Sequence, residues 1–314
     1  MKETYYNRES NINEDQVDIR EIFHVLLQGK SIIISVTAFA SIFAVIFSLL
    51  LPNIYESRAL LAPTDSSSGI SGALSSYSGL ASIAGINLPT QDQKSNSGKA
   101  MMKLNTLSFF ENNVMPAIFL PDLMALKSWD FKTNKLIYDE SIYNIDTMAW
   151  VSDDTGVNQQ IPSAQESFRL FQAHVNLSID NKTSFVTLTV KHQSPYIAKE
   201  WAELLIKEIN AFYREKDKSE SQKSVIYLNA QIVKTNLSEI KYVIAGLLQQ
   251  ETQKLTLIEA NESYVFDYID PPAVMEQKIE PKRSLICILG SILGGILSIF
   301  IVLIRYYIFS EKAS

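Results

Sequence analysis

The sequence predicts an α+β membrane protein in which two transmembrane helices flank an α/β base domain that carries a long, coiled-coil-like helical extension. Two observations carry this prediction: uncharged apolar segments lie near both ends of the chain, and a long stretch without helix breakers lies between strand-like segments. The composition agrees, because 46% of the residues are hydrophobic and 10% are aromatic, which is far too apolar for a disordered chain.

The two apolar segments are Ser31–Leu51 and Ser284–Ile304, each 21 residues long and free of charged side chains. A helix of this length is about 31 Å long, which matches a hydrocarbon core of about 30 Å. The first segment follows a polar tail and precedes no small-x-small cleavage pattern, which favours a retained anchor over a signal peptide. Basic residues on both sides of the second segment favour a span over a buried core helix. Both segments are therefore predicted to cross the membrane.

Two spans place the tails, residues 1–30 and 305–314, on one side of the membrane and residues 52–283 on the other. Lysine and arginine near the spans are equally frequent on the two sides, so the positive-inside rule does not choose an orientation. That rule is weak for loops longer than about 60 residues. The charge pattern therefore permits an exported domain without establishing one.

The domain at 52–283 divides by its patterns into a base, residues 52–193 and 264–283, and a helical region, residues 194–263. The expected parts of the base are a strand at 54–61 that ends at Pro63, a Ser/Gly-rich mobile loop at 65–98, short helices across 99–126, an irregular segment at 127–162, a helix from the capping box at 163–166 to about 174, a hairpin of 175–179 with 186–190, and a strand at 264–269. Strands thus lie close in sequence to both spans, which predicts a base at the membrane.

The helical region begins at Ser194-Pro195, an N-cap followed by an N1 proline, and only Gly246 interrupts it. Apolar residues recur in it at steps of four and three, as in a coiled-coil seam: Ile226, Ala230, Val233, Leu237, Ile240, Ile244 and Leu247. One unbroken helix would be roughly 100 Å long, yet the second span follows soon after. A helix that begins near the membrane must therefore reverse, and we expect the reversal at 214–224, which lacks large apolar residues, rather than near Gly246. A start far from the membrane is the alternative.

Signals for catalysis are nearly absent from the sequence. It contains no Walker-type phosphate loop, no HExxH and no GxSxG. The formal net charge of −6 provides no basic footprint for nucleic acid, and one cysteine with three scattered histidines excludes a disulfide scaffold and a zinc module. We expect His24, His174 and His192 to be surface or packing residues. The sequence thus predicts no catalytic residues, no cofactor and no metal.

The second span and its approach carry packing signals instead. Gly290, Gly294 and Gly295 form a small-xxx-small pattern that lets helix backbones approach closely, which favours self-association. Pro271 and Pro272, and then Pro281 before Lys282 and Arg283, predict an extended and stiff approach to the membrane.

The order of these features resembles the Wzz-type chain-length determinants, the polysaccharide co-polymerases of Gram-negative bacteria. The resembling pieces are the lead-in at Val17–Phe23, the exit at Leu51–Ser57, the stretch Gly79–Leu88, Ser194-Pro195 before the Trp201 helix, Tyr264–Phe266 before Asp270-Pro271, and Pro281–Leu285 running into the span with Gly290 and Gly294. Two features depart from the family, since 274–280 lacks proline and the helical region is shorter than in many members. Both departures bear on how far the helical region extends from the base, and not on the class of protein.

The resemblance implies a bacterial inner-membrane protein with cytoplasmic tails and a periplasmic domain that assembles into a ring-like homo-oligomer. It implies a non-enzymatic scaffold that sets the modal length of O-antigen lipopolysaccharide, or of a related surface glycan. The implied partners are the membrane-embedded polymerase and its undecaprenyl-linked glycan. A related alternative is a capsule or exopolysaccharide co-polymerase that works with a tyrosine autokinase, which would be a separate chain because about ten residues follow Ile304.

A two-span ligand-gated channel is an alternative from another class, since it shares short tails and a large outer domain. Such outer domains are often stapled by disulfides, and 52–283 contains no cysteine. Polar pore-lining residues other than serine and threonine are also missing from both apolar segments. The sequence therefore disfavours a channel.

Overall fold

The computed structural model describes residues 19–64, 96–151 and 161–310. These residues belong to two compact units, whose boundaries lie between Pro52 and Asn53 and between Ile279 and Glu280. The apolar stretch Gly79–Leu88 and nearly all of the predicted loop at 65–98 lie outside the described residues.

The described part of the chain contains both helices and strands. The helices are α1 (Ile19–Gln28), α2 (Lys30–Leu50), α3 (Asn96–Leu104), α4 (Leu107–Phe109) with the π-turn Phe110–Val114 after it, α5 (Leu120–Met124), α6 (Ala164–His174), α7 (Pro195–Lys234), α8 (Ser238–Ala260) and α9 (Arg283–Ser310). The strands are β1 (Tyr55–Pro63), β2 (Leu126–Asp130), β3 (Lys135–Tyr138), β4 (Tyr143–Asn144), β5 (Ala149–Trp150), β6 (Val175–Ile179), β7 (Val186–His192) and β8 (Phe266–Asp270).

The first unit is helical. Within the described residues, α2 and α9 are the helices that are long and apolar enough to cross a membrane. They contain the predicted spans except for Leu51, and α9 continues six residues beyond Ile304. Gly29 separates α1 from α2, and a side chain there would collide with Val302 of α9.

The second unit is built on a four-stranded antiparallel sheet in the order β6-β7-β1-β8. Side chains of β1 alternate, and those of Tyr55, Ser57, Ala59 and Leu61 are buried on the face that the core covers. The strand predicted after the first apolar segment thus lies directly beside the strand predicted before the second one. The predicted β6–β7 hairpin is confirmed, with Ile179 paired to Val186.

The first half of α7 packs on this sheet. Its inward residues recur at three- and four-residue steps, which places them on one face of the helix; they are Ala198, Trp201, Ala202, Leu205, Ile206, Ile209 and Tyr213. The helical region is therefore not a separate extension throughout, because the first five turns of α7 belong to the core of the base.

The chain reverses between Lys234 and Ser238, so the predicted reversal at 214–224 is wrong, and so is the alternative near Gly246. Thr235 and Leu237 adopt extended backbone angles at the turn, in a Thr-Asn-Leu-Ser sequence whose Thr, Asn and Ser are weak helix formers. Residues 214–224 stay helical because charged, straight-chain residues are good helix formers, and Lys216 forms an i,i+4 ion pair with Glu220.

The reversal also divides the predicted seam between two antiparallel helices. Ile226, Ala230, Val233, Leu237 and Ile240 are exposed, Leu247 is half-buried and Ile244 is buried. Less exposed apolar residues mark the face on which α7 and α8 meet instead, namely Val225, Leu228 and Ile232 on α7 and Ile244, Leu248, Leu255 and Ile258 on α8. The prediction of a single continuous seam is therefore wrong for contacts within this chain.

The segment 127–162, predicted to be irregular, contains most of the hairpin β2–β3 and all of β4–β5, so that prediction is wrong in its described part. Asn134 and Met148 lie in tight turns at φ 51°, in the left-handed region. Asn is enriched in this region, but Met is not, so the sequence does not indicate the second turn. The capping box before α6 is confirmed, because the Glu166 amide donates to the Ser163 hydroxyl at 3.2 Å.

Candidate interaction surfaces

The glycine face of α9 lies against the small residues of α2. A Cβ on Gly290 would collide with the Cβ of Ala44, and one on Gly294 would collide with that of Ala40. Gly295 is less tightly placed, because its Cβ would lie 3.9 Å from the Thr37 hydroxyl, an ordinary contact. The sequence pattern favoured self-association through these glycines. In the structure, Gly290 and Gly294 face α2 of the same chain.

A hydroxyl pair links the same two helices. The hydroxyl oxygens of Ser41 and Ser291 lie 2.9 Å apart, and each serine also lies within hydrogen-bond distance of a carbonyl of its own helix. One hydroxyl can donate across the helix pair while the other donates within its own helix. In an apolar surrounding this bond adds a fixed register to the close approach of the glycines.

The proline-containing approach to α9 runs beside β1. Pro271 is exposed and Pro272 is buried, and the Ser57 hydroxyl donates to the carbonyl of Ala273 at 2.9 Å. The Ile279 amide donates to the carbonyl of Ile54 at 2.9 Å. Pro281 and the exposed Lys282 then lead into α9, which begins at Arg283. The approach is thus held at two points of the base by hydrogen bonds.

His192 occupies a buried position at the end of β7, where no local sequence pattern indicates a role beyond packing. The Ser194 amide donates to His192 Nδ1 at 3.0 Å, and His192 Nε2 donates to the carbonyl of Asp122 at 3.1 Å. Its ring lies 5.0 Å from that of Trp201. Only the neutral ring accepts at one nitrogen while it donates at the other. Burial lowers the pKa of His192 to about 4.

The stability of the base should therefore fall as the pH falls from about 6.5 to about 4. The pKa of His192 is lower in the folded chain than the ordinary value of 6.5, so the unfolded chain binds more protons in this interval. The full difference is about 3 kcal/mol, all of it present above pH 6.5 and lost progressively toward pH 4. Urea unfolding of the full chain in detergent, followed by tryptophan fluorescence at several pH values, measures this slope.

The matched variant for this prediction is His192→Gln, which keeps a neutral donor and acceptor. Burial raises the pKa of Asp122, which acts in the opposite direction, and its carboxyl group is present in both proteins. Subtracting the two stability curves therefore isolates His192. Parallel curves for the wild type and His192→Gln would contradict a buried neutral imidazole.

Asn210 on α7 holds the strand that follows the helix pair. Its side-chain oxygen accepts from the amides of Val265 and Phe266 at 2.8 and 2.9 Å, and its amide nitrogen donates to the Phe266 carbonyl at 2.9 Å. Sequence reasoning missed this residue. The available signal was an Asn in line with the apolar stripe of α7, directly after Ile206 and Ile209.

Two polar pairs lie where α8 returns beside α7: one joins α7 to the segment after α8, and the other joins α7 to α8. The Tyr264 hydroxyl donates to the Asp217 carboxylate at 2.6 Å, and the Lys218 ammonium lies 2.5 Å from the Glu259 carboxylate. Burial, followed by the bond to Asp217, raises the pKa of Tyr264, while the bond from Lys218 lowers the pKa of Glu259. These pairs set where α8 returns beside α7.

The described residues contain no group of three or more His, Cys, Asp or Glu side chains placed to hold a metal ion. Cys287 lies within α9, half-buried. The polar groups described above bond chiefly to backbone atoms or to one another across elements, which orders the fold. The candidate functional features are therefore interaction surfaces, which lie on the apolar helix pair α2–α9, on the base and on the helical hairpin α7–α8.

Two family models match parts of the chain. The model of the Wzz chain length determinant protein matches residues 15–107, and the GNVR model, described as a "G-rich domain on putative tyrosine kinase", matches residues 241–307. No curated protein sequence matches the chain significantly.

Solved structures of co-polymerases are also similar to this chain. A full-length bacterial polysaccharide co-polymerase is 13% identical, with a TM-score of 0.40, over 95% of this chain and 100% of that chain. A fragment of WzzB, a polysaccharide co-polymerase from Salmonella Typhimurium, is 12% identical, with a TM-score of 0.28, over 73% of this chain and 100% of that chain. The family model confirms the resemblance inferred from the sequence: over residues 15–107 the chain is similar to the Wzz chain length determinant protein.

Proposed function

We propose that this protein is a non-enzymatic regulator of the modal chain length of O-antigen lipopolysaccharide or a related surface glycan. It acts as an oligomeric scaffold beside the repeat-unit polymerase of the bacterial inner membrane. The observation that carries the proposal is the match of the chain length determinant model to residues 15–107, which include α2 and β1.

The proposed topology has residues 52–283 in the periplasm and both tails, residues 1–30 and 305–314, in the cytoplasm. Support comes from α2 and α9, whose length and apolar composition suit a bilayer and which pack together through Gly290 and Gly294. A pair of spans returns the chain to the side from which it started, so everything between them lies on the opposite side.

The proposed assembly is a ring-like homo-oligomer. Support comes from the end of the helical hairpin, where large apolar side chains are exposed to an extent that soluble surfaces rarely keep: Ile226, Tyr227, Val233, Leu237, Ile240 and Tyr242. Neighbouring copies would cover this surface. The seam residues that fail to meet within one chain would then pack between chains.

The proposed mechanism is geometric. The hydrogen bonds of Asn210 and the pairs of Tyr264 and Lys218 hold the helix pair rigidly on the base. A ring of such subunits would present a repeated surface to the growing, undecaprenyl-linked glycan and to the polymerase, and its size would bias when elongation stops. No residue of this chain takes part in bond formation in this proposal.

The test is the lipopolysaccharide ladder of the parent strain, a deletion strain and a complemented strain on a gel. We expect the modal cluster to collapse to an unregulated distribution on deletion and to return on complementation. A ladder unchanged by deletion would contradict the O-antigen proposal.

The second candidate is a capsule or exopolysaccharide co-polymerase that works with a separate tyrosine autokinase. The match of the GNVR model to residues 241–307, described on a tyrosine kinase, favours it. The same strains discriminate the two candidates, because this one predicts an unchanged ladder together with an altered size distribution of capsule or exopolysaccharide.

A further inference from the structure

Four aromatic residues lie together at one end of the base. The ring of Tyr55 lies 5.3 Å from that of Trp129, which in turn lies 5.9 Å from Phe131 and 6.3 Å from Tyr196. Tyr55 is buried, but Phe131 is 73% exposed and Tyr196 is 49% exposed. We call these four residues the aromatic end. It presents large apolar surface where the sheet and α7 begin.

The β2–β3 turn that carries Phe131 is well ordered by its own polar groups. The Asp130 carboxylate accepts from the Lys132 amide at 3.0 Å and from the Thr133 hydroxyl at 2.6 Å. The indole of Trp129 donates to the Asn134 side chain at 2.9 Å. Phe131 is thus held outward on a rigid turn.

The covalent chain ties the aromatic end to both apolar helices. Tyr55 follows Leu50, the last residue of α2, by five residues, so extended chain allows a separation of about 17 Å at most. The backbone bond from Ile279 to Ile54 brings the returning chain to the same end of the sheet, four residues before Arg283. If α2 and α9 cross a bilayer, this end of the base therefore lies near its surface.

The charges and residue types of the turn suit a lipid surface. Lys127, Lys132 and Lys135 are exposed around Phe131, and Asp130 is already engaged within the turn. Tryptophan and tyrosine prefer the interface between headgroups and hydrocarbon, and lysine extends from it toward phosphate groups.

We propose that the β2–β3 turn docks on the membrane, with Phe131 in the acyl boundary and the three lysines at anionic phospholipid headgroups. This proposal rests on the proposed membrane topology. Its consequence is that the base is held at a fixed height and tilt by a third contact, in addition to the two chain connections.

The experiment is site-directed spin labelling of the full chain, reconstituted in vesicles of phosphatidylethanolamine and phosphatidylglycerol. The background is Cys287→Ala, and single labels are placed by Phe131→Cys, Asn236→Cys and Ile292→Cys. Asn236 is the matched control, because it is an exposed polar residue in the turn between α7 and α8. Ile292, exposed on α9, tests the anchoring itself. Collision rates with oxygen and with a water-soluble nickel chelate report depth.

We expect the oxygen-to-nickel ratio at position 131 to exceed that at position 236 several-fold and to fall when phosphatidylglycerol is omitted. Equal, water-like ratios at 131 and 236, with a hydrocarbon-like ratio at 292, overturn the docking proposal alone. Low accessibility to both reagents at 131, with spin–spin broadening, overturns it in favour of contact between copies. A water-like ratio at 292 overturns the proposed topology itself.

Discussion

Replacing Gly290 and Gly294 together by leucine is expected to abolish control of glycan length while residues 53–279 remain folded. Each leucine would place its side chain where Ala44 or Ala40 of α2 now lies, so the two helices must separate. Forced insertion of this kind costs about 1–3 kcal/mol per site in a packed interface. The readouts are the lipopolysaccharide ladder and the tryptophan fluorescence of the base at equal protein level.

The matched control is Ile288→Leu with Ile292→Leu, on the exposed face of the same helix, for which we expect an unchanged ladder. A second control tests whether the partner helix belongs to the same chain. Cysteines at Ser41 and Ser291, in a Cys287→Ala background, should form a disulfide within one chain, because their hydroxyls lie 2.9 Å apart. A ladder that stays modal in the double leucine variant, or a disulfide found chiefly between chains, would contradict this arrangement.

Asn210→Ala is expected to lower the free energy of unfolding of the base by about 4 kcal/mol. The change removes three hydrogen bonds in the core and takes a side-chain partner from two amides and one carbonyl of residues 265 and 266. Each buried group left without a partner costs about 1–3 kcal/mol. Urea unfolding of the full chain in detergent, followed by the fluorescence of the buried Trp201, measures the loss.

Two further variants sharpen this prediction. Asn229→Ala lies on the same helix at an exposed position and should change stability by less than about 0.5 kcal/mol. Asn210→Asp keeps an acceptor for both amides but loses the donor to Phe266. Equal stability of Asn210→Ala and Asn229→Ala would show that the Asn210 contacts do not hold the strand.

The position of the turn in the helical region was not predictable from the spacing of its apolar residues. The pattern of Ile226, Val233, Leu237, Ile240 and Ile244 has the correct spacing for one helix face, but a weak turn at Thr235–Leu237 interrupts it. Spacing alone does not distinguish a seam that continues from one that folds back. The charged stretch 214–224 was expected to form a turn because it lacks large apolar residues. It is helical, since a lack of apolar residues is also compatible with a solvated helix.

The functional surfaces were predictable to different degrees. Gly290 and Gly294 were visible as a packing pattern, because small residues spaced by four always share a helix face. Their partners, Ala40 and Ala44, show the same spacing in the first apolar segment. The apolar stripe of α7 marked Asn210 as an inward residue, but the bonding partners of Asn210 and His192 were not predictable. These partners are backbone atoms of residues 265, 266 and 122, which no local pattern brings near them.

The sequence by itself determined the two apolar segments, the hairpin of β6 and β7, the start of α7 and the resemblance to the Wzz-type chain length determinants. These features follow from local composition, periodicity and capping, which act over a few turns of chain. Only the tertiary structure decided where the helical region reverses, which strands flank β1, and that the glycine face of α9 is covered by α2. Those outcomes depend on contacts between residues far apart in sequence, whose free energies appear only when the packed surfaces meet.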